Sequence, residues 1–270
     1  MNPVQWPESA IGAVGKPFPF PRQIIVLLAL LLVCGAPSAL HAEEKAGDSQ
    51  STWTRDETLL LVGGLVGAGA LSLYDEALHD EAGEHRHSGL DHISDGFDLL
   101  GHPLTTLGIG GALYGAGKMR RDEELAQTGR LAVQAVLAAE AATLALKVGV
   151  GRERPDADED AWSFRPLALE DDHDSFPSAH TAGAFALASV LSRRSSHRWA
   201  PYIYYGLASF VGLSRVYDED HWASDVAVGA LIGELSGRLL VRIQGQKSGW
   251  LLGVAPAAGG GGLVALSRRW

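Results

Sequence analysis

The sequence predicts an all-α fold, a helical bundle of about six helices followed by a short C-terminal β-hairpin. Hydrophobic residues make up 46% of the 270-residue chain, aromatic residues make up 7%, and 33 residues are glycine. Small side chains allow helices to pack closely, in water or in lipid. Apolar segments of helical length recur along the chain, at residues 58–73, 99–117, 128–148, 181–191, 200–213 and 225–241.

Residues 1–42 have the composition of an export signal. Lys16 and Arg22 precede an apolar run from 24 to 33, and small residues follow up to Ala42, which is the pattern of a cleavable signal peptide. The apolar run is short for a membrane span. We therefore predict export to the periplasm or cell envelope, with cleavage after Ala42. Because Cys34 is the single cysteine, no internal disulfide framework is expected.

Residues 43–98 are predicted to form an N-terminal helical region and a polar linker. The helix at 58–73 is rich in Gly and Ala, whereas residues 75–98 are rich in Asp, Glu and His. The histidines follow no zinc-site spacing. We therefore predict that residues 75–98 form a solvated helix or loop rather than a metal site.

Residues 99–243 are predicted to form the core of the bundle. Pro103 predicts a kink in the second helix, because proline removes a backbone hydrogen bond. Lys147 lies at the C-terminal end of the third helix, and Ser178 has the character of an N-cap before the fourth. The fifth helix leads into Arg215, and the sixth begins at Asp225. Charged side chains therefore fall at helix ends, which a bundle brings together.

Two further regions are predicted from composition. The acidic runs at 156–160 and 170–174 are predicted as solvated loops, with the alternative that they offset a cationic pocket. In the tail, residues 244–270, two apolar segments flank a run of glycines, which indicates a β-hairpin. One hairpin cannot close a transmembrane barrel, so we expect the tail to pack on the bundle or to be loosely ordered.

Three short blocks, at residues 147–155, 176–181 and 214–225, carry the side chains that suit chemistry on a phosphoryl group. Lys147, Arg154 and Arg215 supply a point charge and planar forks that match phosphate oxygens. His180 and His221 can each act as nucleophile or proton donor near neutral pH. The blocks therefore predict a phosphate site with histidine chemistry.

Helix geometry suggests roles within this set. His221 and Asp225 are four residues apart, so on a helix they share a face. A carboxylate there could hold one ring nitrogen protonated and leave the other free to attack. His180 would then protonate the leaving oxygen. A helix that begins after Ser178 would also offer backbone N–H groups to an anion.

The three blocks together resemble the signature of the superfamily of type 2 phosphatidic acid phosphatases, bacterial non-specific acid phosphatases and vanadium haloperoxidases. That signature is K-x6-R-P, then P-S-G-H, then S-R-x5-H-x3-D, and its parts are present here in order and with their internal spacing. One position departs, since Ala179 stands where the family usually has glycine. The backbone N–H remains, but the methyl group narrows close approach. Three coincident blocks are far more specific than a single motif.

The resemblance implies a metal-independent phosphohydrolase whose active site lies at one end of the bundle. It implies that His221 is the nucleophile that becomes phosphohistidine, that Asp225 orients it and that His180 is the acid. It also implies a set of phosphate-binding groups made of cations and helix-terminal positions, namely Lys147, Arg154, Ser178, the backbone N–H of Ala179, and Arg215. No metal and no other cofactor are expected.

The expected substrate is a phosphorylated lipid, such as phosphatidate or a polyprenyl diphosphate. The sequences S-F-P-S-A-H and H-W-A-S-D resemble the lipid-acting branch of the family. Lipid-acting members are integral membrane proteins, but Glu140 and Glu234 fall inside apolar helices, which is costly in lipid. We therefore favour an exported enzyme that is soluble or membrane-associated. The net charge of −10 argues against nucleic acid as a partner.

Three alternatives are open at this stage. The first is a soluble periplasmic acid phosphatase that acts on small phosphoesters. The second is a vanadium haloperoxidase, because vanadate in its five-coordinate state resembles transferring phosphate; the compact motif spacing favours the phosphatases instead. The third is an envelope protein that binds phosphate or lipid without turnover, against which the complete set of reactive residue types weighs.

Overall fold

The computed structural model describes residues 54–84, 88–157, 160–167, 173–245, 250–256 and 262–268, so the predicted signal peptide lies outside the described residues. These ranges contain helices and one pair of strands, namely α1 (Arg55–Ser72), α2 (Asp75–Glu84), α3 (Ser88–Gly101), α4 (Pro103–Arg120), α5 (Glu123–Val150), α6 (Ala179–Arg194), α7 (Ala200–Tyr217), α8 (Ala223–Gly245), β1 (Trp250–Pro256) and β2 (Gly262–Arg268).

The all-α prediction is confirmed, with two more helices in these ranges than the six predicted. The additional helices, α2 and α3, form from the acidic segment that was predicted as solvated helix or loop. The predicted kink at Pro103 is instead a break between α3 and α4. Pro103 begins α4, where its missing N–H would have no partner inside the helix.

Helix α6 lies at the centre of the bundle. All its residues from Thr181 to Val190 are buried, and α6 packs against α5, α7 and α8. Two hydrophobic clusters form around it, one shared with α1, α7 and α8 and the other with α5 and α8. Glycines of α8 face α6, and the closest approaches are at Gly229, Gly233 and Gly237. Small residues at this spacing let the two helices approach closely.

The C-terminal end of α5 is fixed by glycine. Gly151 is the C-cap residue and has a φ of +59°, a conformation that glycine adopts without strain. A Cβ atom at this position would also overlap the carbonyl oxygen of Arg165. Gly151 therefore sets the direction in which the chain leaves α5, one turn after Lys147.

The predicted C-terminal hairpin is present. Strands β1 and β2 pair antiparallel, with Trp250 opposite Arg268 and Pro256 opposite Gly262. By length and composition alone, α5 is the single helix in the described part of the chain that could cross a membrane, and 33% of its most apolar window is buried. Helices α1 and α2 would satisfy the same criteria together, as a span bent by 64°.

Candidate active site

The predicted site residues meet at one end of the bundle. This end is formed by the C-terminal ends of α3, α5 and α7, the N-terminal ends of α6 and α8, and the loops between them. A chain of ion pairs joins these elements in the order Lys147, Asp174, Arg154, Asp220, Arg215 and Asp98, and the imidazole of His180 contacts Asp98 at its end. The sequence blocks, which are far apart along the chain, therefore form one polar cluster.

Lys147 and Arg154 share one aspartate. Nζ of Lys147 lies 3.6 Å from Oδ2 of Asp174, and Nε of Arg154 donates to Oδ1 of Asp174 at 2.7 Å. Nζ of Lys147 also donates to the backbone carbonyl of Asp174. Burial lowers the pKa of Lys147, and the charge of Asp174 opposes that effect. Asp174 therefore partly neutralises both cations.

Arg215 is buried at the C-terminal end of α7 and is surrounded by carboxylates. It contacts Asp98 and Asp220, and its Nη1 lies 3.7 Å from Oδ2 of Asp218. Nη1 of Arg154 also donates to Asp220, at 3.4 Å. Burial lowers the pKa of Arg215, and Asp98 and Asp218 oppose that effect. The three predicted phosphate-binding cations are thus paired with carboxylates.

His180 lies in the first turn of α6 and contacts α3. Its Nε2 lies 3.2 Å from Oδ1 of Asp98, and its ring meets the ring of His102 edge-on at 5.7 Å. Burial, followed by the charge of Arg215, lowers the pKa of His180 to about 4, and Asp98 opposes this shift. In this arrangement the imidazole is neutral at pH 7.

Ser178 is the N-cap residue of α6, as predicted. Its Oγ accepts hydrogen bonds from the backbone N–H of Thr181 at 3.5 Å and from Oγ1 of Thr181 at 2.9 Å. Its own N–H donates to the carbonyl oxygen of Asp225 at 3.2 Å. Ala179 is the first residue of the helix. These contacts place the start of α6 against the start of α8.

His221 precedes α8 and is 5% exposed. Its Nδ1 is buried without a hydrogen-bond partner among the described residues. Burial lowers its pKa well below the usual value, and the charges of Lys147, Arg215 and Arg154 lower it further. The three cations therefore act on this one imidazole, which is neutral and so retains the lone pair that a nucleophile needs.

Asp225 is fully buried, and both oxygens of its carboxylate accept hydrogen bonds. Oδ1 accepts from Nη1 of Arg152 at 2.6 Å, and Oδ2 accepts from Oγ of Ser175 at 2.6 Å and from the N–H of Trp222 at 3.1 Å. No hydrogen bond joins Nδ1 of His221 to Asp225 in the described part of the chain. The role of Asp225 in orienting His221 therefore stays a prediction.

Several residues of this cluster were not predicted from the sequence. Asp75 lies in the segment predicted to be solvated, yet it is 1% exposed and contacts Arg152 and Ser224. For this residue the prediction was wrong, because a buried guanidinium gives the carboxylate a partner. Asp174, by contrast, behaves as the alternative proposed for the acidic runs, since it pairs with two pocket cations. Arg152 could have been suspected from its position between Lys147 and Arg154.

Residues 129–248 match the profile of the PAP2 superfamily. The chain carries a PAP2 superfamily domain. This PAP2 match includes every site residue predicted from the sequence, and it leaves out Asp75 and Asp98. Among the described residues, no group of three or more His, Cys, Asp or Glu side chains is arranged to hold a metal ion.

Two named relatives match parts of the chain. A lipid A 1-phosphatase of Porphyromonas gingivalis is 48% identical over 67 residues, which are 24% of this chain and 15% of that protein. A probable diacylglycerol pyrophosphate phosphatase 1 of Schizosaccharomyces pombe is 31% identical over 155 residues, which are 45% of this chain and 55% of that protein. The alignments thus span a small part of the first relative and about half of the second.

The bundle is also similar to a solved structure. The crystal structure of the first transmembrane PAP2-type phosphatidylglycerolphosphate phosphatase from Bacillus subtilis superposes with a TM-score of 0.54 and 22% identity. The similarity covers 84% of this chain and 98% of that chain. It confirms that the helices have the PAP2 fold.

Proposed function

We propose that this protein is a phosphatase that hydrolyses a lipid phosphate or diphosphate through a phosphohistidine on His221. The observation that carries the proposal is the polar cluster that joins Lys147, Arg154 and Arg215 through shared aspartates, together with the buried imidazole of His221, whose pKa the charges of these cations lower. A cluster of these cations binds phosphate and stabilises the charge that develops during phosphoryl transfer. A neutral imidazole in its centre is suited to attack phosphorus.

In the proposed reaction, the substrate phosphate replaces aspartate oxygens as the partner of the three cations. The unprotonated ring nitrogen of His221 forms a bond to phosphorus while the bond from phosphorus to the leaving oxygen breaks. His180 gives its proton to that oxygen. The oxygen of a water molecule then attacks phosphorus while the bond from phosphorus to the nitrogen of His221 breaks and returns the lone pair to that nitrogen. His180 accepts a proton from the attacking water, and inorganic phosphate leaves.

The low pKa of His180 is compatible with this role once a phosphate is bound. Its pKa is about 4, chiefly because of burial and then because of Arg215. A phosphate dianion that pairs with Arg215 would cancel that repulsion and add a negative charge beside the ring. Both effects raise the pKa of an imidazole, so substrate binding itself would favour protonation of His180.

Exposed apolar side chains around the site support a lipid substrate. Leu99 and Leu104, on either side of His102, are 66% and 74% exposed. Leu167, in the connection between α5 and α6, is 74% exposed. Exposed apolar groups that border a polar pocket suit a substrate with a charged head and an apolar chain. The names of the two relatives, both phosphatases of lipid phosphates, point the same way.

We further propose that the protein works at the membrane of the cell envelope after export. Exposed apolar residues continue along the bundle, including Val66 of α1 and Tyr202 of α7, which are 68% and 72% exposed. Such surface favours contact with lipid. The predicted signal at residues 1–42, the catalytic core at 99–243 and the boundaries of the other regions remain part of this proposal.

The test is phosphate release in the presence of EDTA from phosphatidate, a polyprenyl diphosphate and p-nitrophenyl phosphate. The variant is His221→Ala, and the matched control is His197→Ala, which changes an exposed histidine beyond the other end of α6. We expect release that depends on His221 and not on His197, with a lipid substrate preferred. Preference for p-nitrophenyl phosphate would support a soluble-substrate enzyme, and activity in His221→Ala would refute the mechanism.

A further inference from the structure

Arg152 is a second arginine of the first sequence block, and its surroundings differ from those of Arg154. The side chain of Arg152 is 4% exposed, whereas that of Arg154 is 29% exposed. Arg154 contacts Asp174 and Asp220 at the pocket. Arg152 lies between aromatic rings, with the centroids of the Phe164 and Trp222 rings at 5.7 Å and 5.4 Å from its guanidinium carbon.

All donors of Arg152 are used within the protein. A guanidinium has five N–H donors, and Arg152 makes hydrogen bonds to Ala161, Ser224, Asp225 and Asp75 from Nε, Nη1 and Nη2. Two of these go to the carbonyl oxygen of Ala161, at 3.0 Å and 2.6 Å. Arg152 therefore has no N–H left for a phosphate.

Asp75 connects α2 to Arg152 and to Ser224. Its Oδ2 accepts from Nη2 of Arg152 at 2.9 Å and from Oγ of Ser224 at 2.5 Å, and its Oδ1 accepts from the N–H of Ser224 at 2.9 Å. Ser224 lies between Trp222 and Asp225, in the first turn of α8. The segment that carries His221 is thus attached to α2 through Asp75 and to the loop after α5 through Arg152.

The contacts of Asp225 come from the same loop region. Arg152 holds Oδ1, Ser175 holds Oδ2, and the N–H of Ser175 donates to the carbonyl oxygen of Arg152 at 3.0 Å. Oδ1 accepts one hydrogen bond and still has lone-pair capacity for a further donor, whereas Oδ2 already accepts from Ser175 and from the N–H of Trp222. The orientation of Asp225 relative to His221 is therefore set by Arg152 and Ser175.

We propose that Arg152, with Asp75, is a positioning residue that fixes Asp225 beneath His221 for phosphoryl transfer. This inference rests on the proposed function. Arg152 contacts no substrate and acts through Asp225, in contrast to Arg154, which we assign to the phosphate. Partners that orient a reactive side chain in this way typically change activity by about 10- to 100-fold when they are altered.

The charges around Asp225 give the proposal a signature in the pH profile. The charged groups that face Asp225 are Arg152 of the loop, Asp75 of α2 and Lys147 of α5. His221 lies four residues before Asp225, in the segment that precedes α8. Burial raises the pKa of Asp225, Arg152 lowers it, and Asp75 raises it. Weakening the Arg152 contact and neutralising Asp75 should therefore move the pKa of Asp225 in opposite directions.

The test compares Arg152→Lys and Asp75→Asn with wild type and with Arg154→Lys. Arg152→Lys keeps the charge and removes the fork, and we expect kcat to fall about 10- to 100-fold with KM within about two-fold. Arg154→Lys should instead raise KM.

The acid limb of kcat should move to higher pH in Arg152→Lys and to lower pH in Asp75→Asn. Arg152→Lys in an Asp225→Asn background should lower kcat by less than about two-fold further.

Thermal unfolding of each variant separates folding from positioning. Asp75→Asn removes one of two buried negative charges. If Arg152→Lys does not fold, the acid limb of kcat measured for Asp75→Asn tests the proposal. Unchanged kcat and unshifted limbs in an enzyme that needs His221 would overturn this inference and leave the proposed function intact. If wild type releases no phosphate, the proposed function fails. The ring-nitrogen NMR signals of His221 then decide, since shifts in both variants support positioning and unchanged signals refute it.

Discussion

Gly233 of α8 lies directly against the backbone carbonyl of Ala182 in α6, so close that a Cβ atom at residue 233 would overlap that oxygen. The same Cβ would lie 2.8 Å from the backbone nitrogen of Ala186 and from Cβ of Phe185. These neighbours are backbone and core atoms, which cannot rotate away. The absence of a side chain at Gly233 is therefore what allows the two helices to pack.

We expect Gly233→Ala to destabilise the bundle by about 1–3 kcal/mol, the usual effect of overpacking a core. Chemical denaturation measures this change. Gly206→Ala in α7 is the control, because a Cβ atom there would meet nothing within 4 Å. That substitution should stabilise the helix by up to about 1 kcal/mol. Equal effects of the two substitutions would contradict the close approach of α6 and α8.

Asp174→Asn should strengthen the binding of inorganic phosphate. Asp174 pairs with both Lys147 and Arg154, so its carboxylate competes with a phosphate for these cations. A partly exposed ion pair contributes up to about 1 kcal/mol, which corresponds to about a five-fold change in affinity. The measurement is the inhibition constant of phosphate against wild type and variant, with Asp156→Asn as a control in the neighbouring acidic run. Weaker inhibition in Asp174→Asn would show that Asp174 positions the cations rather than competing for them.

Asp98→Asn should move the alkaline limb of kcat/KM to lower pH. His180 must be protonated to act as the acid, and kcat/KM follows the pKa that His180 has in the free enzyme. The charge of Asp98 raises that pKa. Removing that charge lowers the pKa further below about 4, so the protonated fraction at any given pH falls. The pH profile of kcat/KM for a soluble phosphoester checks this. An unshifted limb would mean that His180 is not the group that titrates there.

Glu140→Gln should stabilise the protein at neutral and alkaline pH. Burial raises the pKa of Glu140 from 4.5 to about 7, and its Oε1 has no hydrogen-bond partner among the described residues. Between these two values the folded state holds a proton that the unfolded state has lost. Stability therefore falls as pH rises through that window, and glutamine removes the loss.

Thermal unfolding of Glu140→Gln and wild type from pH 4.5 to pH 8 measures this effect. The two curves should meet near pH 4.5 and separate towards pH 8, with the variant more stable. His180 contributes in the opposite direction, because a folded pKa of about 4 makes stability rise up to pH 6.5. That contribution is common to both proteins and cancels in the difference. Glu124→Gln, on the exposed first turn of α5, should give no such separation.

The parts of the fold that follow from local sequence were predictable. Six apolar segments predicted six helices of the bundle, and Ser178 correctly predicted the start of α6. The predicted helices were too short where the terminal turns are polar. Helix α5, for example, begins at Glu123 with Asp122 as its cap, five residues before the apolar pattern starts. Helices α2 and α3 were predicted only as solvated helix or loop because of their acidic composition. In α3 that composition obscured an apolar stripe at helical spacing, formed by Leu90, Ile93, Phe97 and Leu100.

The candidate residues of the three blocks could be predicted because each block is a short motif of residues close together in sequence. Their partners were not found because they are distant in sequence. Asp75 contacts Arg152 across 77 positions, and Asp98 contacts Arg215 across 117. Such pairs depend on how α2 and α3 pack on the later helices. A single sequence gives no measure of that packing, so these carboxylates looked like ordinary surface charge.

Helix α6 is at once the centre of the core and the support of the site. Ser178 caps it, His180 lies in its first turn, and its next ten residues are buried. Elements whose backbone is buried in the main core open only when the whole domain unfolds. The loss of activity on heating should therefore coincide with the cooperative melting of the bundle. On cooling, function should return in the same step as the helices.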